Sequence, residues 1–242
     1  MNKEIKKRNL ANASLRDNED LPVLNFINNI YHGQRITLLE VGSGECRFVK
    51  KLKSLYKNIE ITCIEINKDL AKIAEQLGCN VINANILDVK IEKKYDIVHC
   101  SHVIEHFYYP DVTKVLDLLI SVVNEQGRLI IRSPLMWDMF YQDIDHIRPY
   151  PIESILNYFN CKQQQKQGKA RITVDSIWYR TFPKKIGSNT IYNSTTRTTI
   201  FTKFYYLVIR IMNRCYQYLW NRYRWPATKP NGYVAIIKTN NN

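Results

Sequence analysis

Two groups of residues have the types and spacing to do chemistry. His99, His102 and His106 fall within eight positions of one another, and His146 follows in DIDHIRPY. An imidazole with an ordinary pKa near 6.5 can take or give a proton at neutral pH. His146, His106 and His102 are therefore the candidate catalytic residues, while His99, inside an alternating apolar strand, reads as structural. The second group is Glu40-Val-Gly-Ser-Gly44 followed by Glu65. Gly42 and Gly44 permit a sharp turn and leave room where side chains would block a ligand. A strand, a Gly loop and a helix in succession form a nucleotide-cofactor site, and a carboxylate ending the next strand can accept both hydroxyls of an adenosine ribose. The third position of a dinucleotide fingerprint is Arg47, and no Gly-Lys-Ser/Thr follows to make a P-loop.

These residues need elements to hold them. Ile36–Val41 is a short apolar run before the Gly loop, and a helix is expected from Glu45 to Tyr56. Ile59–Ile66 alternates and is rich in β-branched residues, which predicts a strand. The pattern continues with a helix at Asp69–Leu77, strands at Asn80–Asn83 and Tyr95–Cys100, a helix at Asp111–Asn124 and a strand at Arg128–Arg132. Alternation of this kind predicts an α/β, doubly wound, mostly parallel sheet. Beyond Pro134 the rhythm changes. Met136–Tyr150 has no period and reads as a loop, Pro151–Phe159 as a helix, and Arg171–Phe182 and Tyr233–Thr239 as strands that suit an antiparallel edge hairpin, completing seven strands. Residues 1–33 form a polar lead-in, and 34–242 one domain that includes an insertion at 184–230.

Composition bounds the class. The 242 residues are 45% hydrophobic and 24% charged, which excludes a disordered or fibrous chain. Six scattered cysteines with no CxxC or CxxH pairing read as reduced thiols. The net charge of +13 is uneven: Asp175 is the last acidic residue, and residues 176–242 hold 11 basic residues. That excess favours an anionic partner: phospholipid, nucleic acid or a phosphorylated substrate. Phe201, Tyr205, Val208, Met212, Cys215, Leu219 and Tyr223 share one face of a helix over 201–224. Lys203, Arg210, Arg214, Gln217, Asn221 and Arg224 occupy the other. The pattern fits an interfacial helix on an anionic membrane, a clamp for nucleic acid, or a helix packed on the sheet. No stretch spans a bilayer and no secretory signal opens the chain, so a cytoplasmic protein, peripheral at the membrane, is expected.

The run LLEVGSGECRF, then IEITCIEIN, YDIVHCSHVIEHF and GRLIIRSP, over about residues 34–160, resembles the class I S-adenosylmethionine (SAM)-dependent methyltransferases. It is most similar to the ubiquinone-biosynthesis branch. The resemblance implies a Rossmann-like fold with SAM as cofactor. It places the methionine moiety at Glu40, Gly42 and Gly44, the ribose on Glu65, and the adenine between Asn85, where the family usually has Asp, and Ile86. Ser101 also lines that pocket. Asp145–Tyr150 is similar to a DxxHxRxY loop of methyltransferases that act on sugars and small metabolites. It implies His146 as general base, Arg148 as anchor and Tyr150 as pocket wall; the plainer reading is that His146 and Arg148 fasten the loop through Asp143 and Asp145. The expected reaction is O-methylation of a small metabolite, sugar or cell-envelope glycan or lipid-linked intermediate, with no metal assigned. Two rival readings stand beside it. His102-x-x-Glu105-His106 with His146 is similar to the metal-binding ExxEH pattern of small-RNA 2′-O-methyltransferases, which implies a metal-assisted enzyme on RNA. The other rival is a non-catalytic module of the same fold that binds membrane or nucleic acid through its basic helix.

Overall fold

The computed structural model describes residues 15–31, 33–162, 166–181, 200–223, 225 and 229–240. Residues 1–14 of the lead-in, Arg224, the side chain of Lys203 and residues 184–199 lie outside the described residues. The chain divides into two compact units, Thr181–Pro230 and the remainder.

The larger unit is built on one seven-stranded sheet. Its elements run α1 (Leu15–Tyr31), β1 (Ile36–Val41), α2 (Arg47–Leu55), β2 (Ile59–Ile64), α3 (Lys68–Gln76), β3 (Asn80–Ile82), β4 (Tyr95–Ser101), α4 (Asp111–Ser121), β5 (Val123–Pro134), α5 (Ile152–Asn160), β6 (Arg171–Arg180) and β7 (Gly232–Asn240). The strand order is β3-β2-β1-β4-β5-β7-β6. Strands β1 to β5 pair in parallel, and β7 runs antiparallel to both β5 and β6. This is the doubly wound sheet with an antiparallel edge hairpin that the alternation predicts.

Both faces of the sheet are covered at its centre, which is why β1, β4 and the second half of β5 are buried almost throughout. Successive residues of one strand enter opposite cores. Leu39, Val41, Leu129 and Ile131 pack with Val115, Leu116 and Leu119 of α4 and Ile155 and Phe159 of α5. Leu38 and Ile130 pack with Val23 and Ile27 of α1 and Phe48, Val49 and Leu52 of α2. The helices begin where their caps allow: the Asn67 side chain accepts from the backbone N–H groups of Asp69 and Leu70 at the head of α3.

Most boundaries fall within two residues of the sequence reading, and the larger departures are these. Helix α4 stops at Ser121 and β5 begins at Val123, five residues ahead of Arg128, because β-branched Val122 and Val123 continue the apolar pattern into the sheet. The lead-in is a 17-residue helix whose Glu19 and Asp20 are almost wholly buried.

In the smaller unit, α6 (Ile200–Tyr223) is the described helix. Phe201, Tyr205, Val208, Met212 and Tyr223 of its apolar face are exposed, Phe201 to 85%. Among the described residues no helix is long and apolar enough to cross a membrane.

Candidate active site

The carboxyl ends of β1, β2 and β4 converge on the Gly loop. Gly42 and Gly44 both have positive φ, 71° and 51°, a region that costs other L-residues roughly 1–2 kcal/mol. A Cβ on Gly42 would sit 2.6 Å from Val103 Cγ2, whereas one on Gly44 would meet nothing within 4 Å. Gly42 is thus required by the protein's own packing, and Gly44 borders open space that a ligand can fill. Ser43 between them is buried, and its Oγ has no hydrogen-bond partner among the described residues.

Glu65 follows directly on β2. Its Oε2 accepts from Gly44 N at 2.8 Å and its Oε1 from Asn67 N at 3.0 Å. Each carboxylate oxygen keeps a second lone pair, so the group can tether the Gly loop and still receive a ribose diol. Asn85 Oδ1 accepts from Leu87 N at 3.0 Å. That leaves its amide N–H groups free to donate to an adenine ring nitrogen, a role open to Asn and closed to ionised Asp. Ile86 is buried beside it, and Ser101 is half-buried at the end of β4. Glu40 is otherwise engaged: its Oε2 meets His99 Nδ1 at 2.7 Å, and both side chains are buried. Burial lowers the His99 pKa more than Glu40 raises it. The open space beside Gly44, the unpartnered Ser43 hydroxyl and the accepting carboxylate of Glu65 fit an adenosyl cofactor.

The histidines do not act as a set. His102, at φ 56°, lies between two carboxylates, with Nε2 3.1 Å from Glu19 and Nδ1 3.2 Å from Glu105. Burial disfavours its charge, but Glu105 and Glu19 outweigh burial and push its pKa up to about 9. At neutral pH His102 is an imidazolium, able to donate a hydrogen bond but not to act as a base. Glu19 also pairs with Arg180 at 2.8 Å, while Asp20 holds Arg132 and Lys51 at 2.5 Å each.

His106 and His146 meet across the loop after β5, their ring centroids 5.1 Å apart. His106 Nδ1 donates to the Asp145 carbonyl at 3.0 Å, and His146 Nδ1 to the Phe140 carbonyl at 2.7 Å. A carbonyl only accepts, so each neutral ring carries its lone pair on Nε2. The backbone N–H groups of Ile147 and Arg148 donate to the Glu105 carbonyl, which fastens the loop over the end of β4. Arg148 is exposed, its guanidinium 5.7 Å from the Tyr150 ring. Tyr150 is buried, and its hydroxyl donates to the Phe107 carbonyl. Beside His146 a cleft of about 330 Å³ is lined by His102, Trp137, Met139, Asp143 and Arg180, among others.

Sequence reasoning missed Glu19, Asp20, Arg132 and Arg180. The available signal was a cation directly after an apolar run within each of two strands, in LIIR and IWYR. A charge seldom ends such a strand in a buried position without a partner.

Residues 39–131 match a family described as a methyltransferase domain. No curated protein sequence matches the chain significantly. Among solved structures, a SAM-dependent methyltransferase from Archaeoglobus fulgidus is 22% identical with a TM-score of 0.55, over 93% of this chain and 94% of that one. The N-methyltransferase NodS of Bradyrhizobium japonicum WM9, in complex with S-adenosyl-L-homocysteine (SAH), is 12% identical with a TM-score of 0.58, over 99% and 98%. An O-methyltransferase from a trans-AT polyketide synthase of Brevibacillus brevis, also with SAH, is 12% identical with a TM-score of 0.56, over 93% and 73%. Those likenesses carry the fold; residues 39–131 are similar to the methyltransferase-domain family, and they hold the Gly loop and the Glu65 that fit an adenosyl cofactor.

Proposed function

We propose that this methyltransferase acts on a hydroxyl group of a small metabolite, sugar or cell-envelope glycan intermediate, brought to the cleft beside His146. Solved proteins of this fold include both N- and O-methyltransferases, so the acceptor atom must be argued from the cleft itself. When bound, SAM supplies an electrophilic methyl group, and its transfer to a hydroxyl releases one proton. An amine is a nucleophile as it stands, whereas a hydroxyl becomes one only when that proton is drawn away. The observation that carries the reading is the pair of hydrogen bonds from His106 and His146 to backbone carbonyls. They fix both rings and leave both Nε2 lone pairs for the acceptor. His102, held as a cation with its two ring nitrogens on Glu19 and Glu105, is excluded from that role. Arg148, two residues beyond His146, is exposed and available to an anionic part of the acceptor.

The test is methyl transfer to matched hydroxyl and amine acceptors. The expected product is an ether, and His106→Ala and His146→Ala should each lower kcat by about 100-fold or more, the usual worth of a positioned proton acceptor, with SAH affinity unchanged. Methylation at nitrogen, or variants that turn over at the parent rate, would refute the reading.

The chemistry of α6 supports a second contact. It combines exposed Phe201, Phe204, Leu207 and Ile211 with exposed Arg210, Arg214 and Arg222 and contains no acidic residue. That is the composition of a helix lying on an anionic lipid surface, where a lipid-linked acceptor would be found.

A further inference from the structure

We infer that the acceptor carries an anionic group, a carboxylate or a phosphate, which Arg180 binds inside the cleft beside His146. The inference rests on the reading that the acceptor enters that cleft, and it names the class of molecule. Arg180 is the last residue of β6, and it lines the cleft together with His102, His146, Pro134, Trp137 and Met139. At about 330 Å³ the cleft is at the small end of ligand sites, which span about 300–1,000 Å³. An anion at Arg180 and a hydroxyl at His146 therefore belong to one small molecule, or to one ring of a larger one.

The Arg180 guanidinium is held in place without being used up. It carries five N–H donors in a rigid fork. Nε donates to Asn231 Oδ1 at 3.0 Å and Nη2 to the Asn231 carbonyl at 3.1 Å, both along one edge of the fork. Glu19 Oε1 stands 2.8 Å from Nη1 but without hydrogen-bond alignment. Among the described residues these partners account for three donors at most, so Nη1 and Nη2 each keep an N–H. Two donors on adjacent nitrogens match the two oxygens of a carboxylate or phosphate. The side chain is only 7% exposed, and donors this buried are ordinarily satisfied. The strand beside it is shaped to the guanidinium: a Cβ on Gly232 would lie 2.7 Å from Arg180 Nη2, so only glycine leaves the space it occupies.

The charges that face the cleft favour an anion. His102, an imidazolium between Glu19 and Glu105, puts a second cation in the wall. Glu19 and Glu105 themselves are buried, at 1% and 0% exposed, and the lining residues are their cationic partners. Asp143 is the one acid among the described lining residues, and its side chain is 64% exposed, where solvent screens it. Pro134, Trp137 and Met139 add apolar surface against which a ring can lie.

The experiment uses the full chain loaded with SAH and three probes of one shape: benzoate, phenyl phosphate and neutral benzamide. Calorimetry should show one benzoate or one phenyl phosphate per chain, bound about tenfold or more tighter than benzamide, the worth of a hydrogen bond to a charged group. The tighter of the two acids names the group that the acceptor carries. Arg180→Gln should abolish the preference, with circular dichroism showing that the variant is folded. If it fails to fold, photolabelling of the parent with 4-azidobenzoate decides the matter: label that benzoate displaces should fall within residues 134–146, and label elsewhere overturns the inference. Benzamide bound as tightly as benzoate, no saturable binding of either acid, or a preference that survives Arg180→Gln also overturns it. So does a loss of SAH affinity in Arg180→Gln with benzoate binding intact, which gives the guanidinium to the cofactor's own carboxylate. Probe binding needs no methyl transfer, so the two readings fail separately. Anion binding in a protein that methylates only nitrogen supports Arg180 and refutes the hydroxyl acceptor. Ether formation on neutral acceptors without anion binding refutes Arg180 and leaves hydroxyl methylation standing.

Discussion

Replacing Asp20 by Ala should destabilise the protein far more than the loss of a surface charge would. The Asp20 carboxylate is 2% exposed and the Arg132 side chain 3%, with 2.5 Å between Oδ1 and Nη1. Arg132 Nε and Nη2 have no hydrogen-bond partner among the described residues. The guanidinium otherwise rests on the Phe48 ring, 4.5 Å from its centroid. Removing the carboxylate strands a buried cation, which costs about 3–5 kcal/mol. Lys51 also contacts Asp20, but it is a third exposed and contributes under about 1 kcal/mol. At roughly 2–4 °C per kcal/mol for a chain of this size, Tm should fall by about 6–20 °C. The decisive comparison is Asp20→Ala with Arg132→Met in the same chain. Met keeps the apolar packing against Phe48 and removes the stranded charge, so the double variant should recover to within about 1 kcal/mol of the parent. Urea unfolding followed by circular dichroism measures all four proteins of the cycle. A cost below about 1 kcal/mol for Asp20→Ala, or a double variant no more stable than the single one, would refute the reasoning.

The Gly loop makes a paired prediction. Gly42→Ala meets Val103 and a positive φ, so it should lose about 1–2 kcal/mol or more of stability together with SAH affinity. Gly44→Ala meets open space and should lose SAH affinity with only the backbone strain; calorimetry and thermal melts separate the two, and equal SAH binding in Gly44→Ala would show that no ligand fills that space. For α6, co-sedimentation with vesicles containing anionic lipid should exceed that with neutral vesicles and fall with salt over the range where the Debye length shortens from about 10 Å to 3 Å. Equal partition to both vesicle types would remove the lipid contact.

The sheet was legible because its strands are short apolar or alternating runs rich in β-branched residues between helices, as ITLLEV and IEITCI show. The boundary between α4 and β5 was not, since Val122 and Val123 satisfy either periodicity. Glu65 and the glycines were legible because their chemistry is local: each acts within one strand–loop–helix unit. The charge cluster beneath α1 was not. Glu19 and Asp20 have the composition of a solvated helix face, and their partners Arg132 and Arg180 lie more than a hundred positions away. The tautomers of His106 and His146 were likewise hidden, because the carbonyls that set them belong to an aperiodic loop.

Strands β6 and β7 end against each other in a way that bears on how such a chain can change. Arg180 pairs with Gly232 in register, its Nε donates to Asn231 Oδ1 at 3.0 Å, and Asn231 N donates to the Arg180 carbonyl at 3.0 Å. Everything from Thr181 to Pro230 thus leaves and re-enters the sheet through one buckle. Closing a loop of about 50 residues instead of about 4 costs only about 2 kcal/mol of chain entropy. The sheet is therefore nearly indifferent to what is spliced in at that point. One cofactor-binding frame can accept inserts of different surface character by exchange at the buckle, so that the company an enzyme keeps can evolve separately from the reaction it performs.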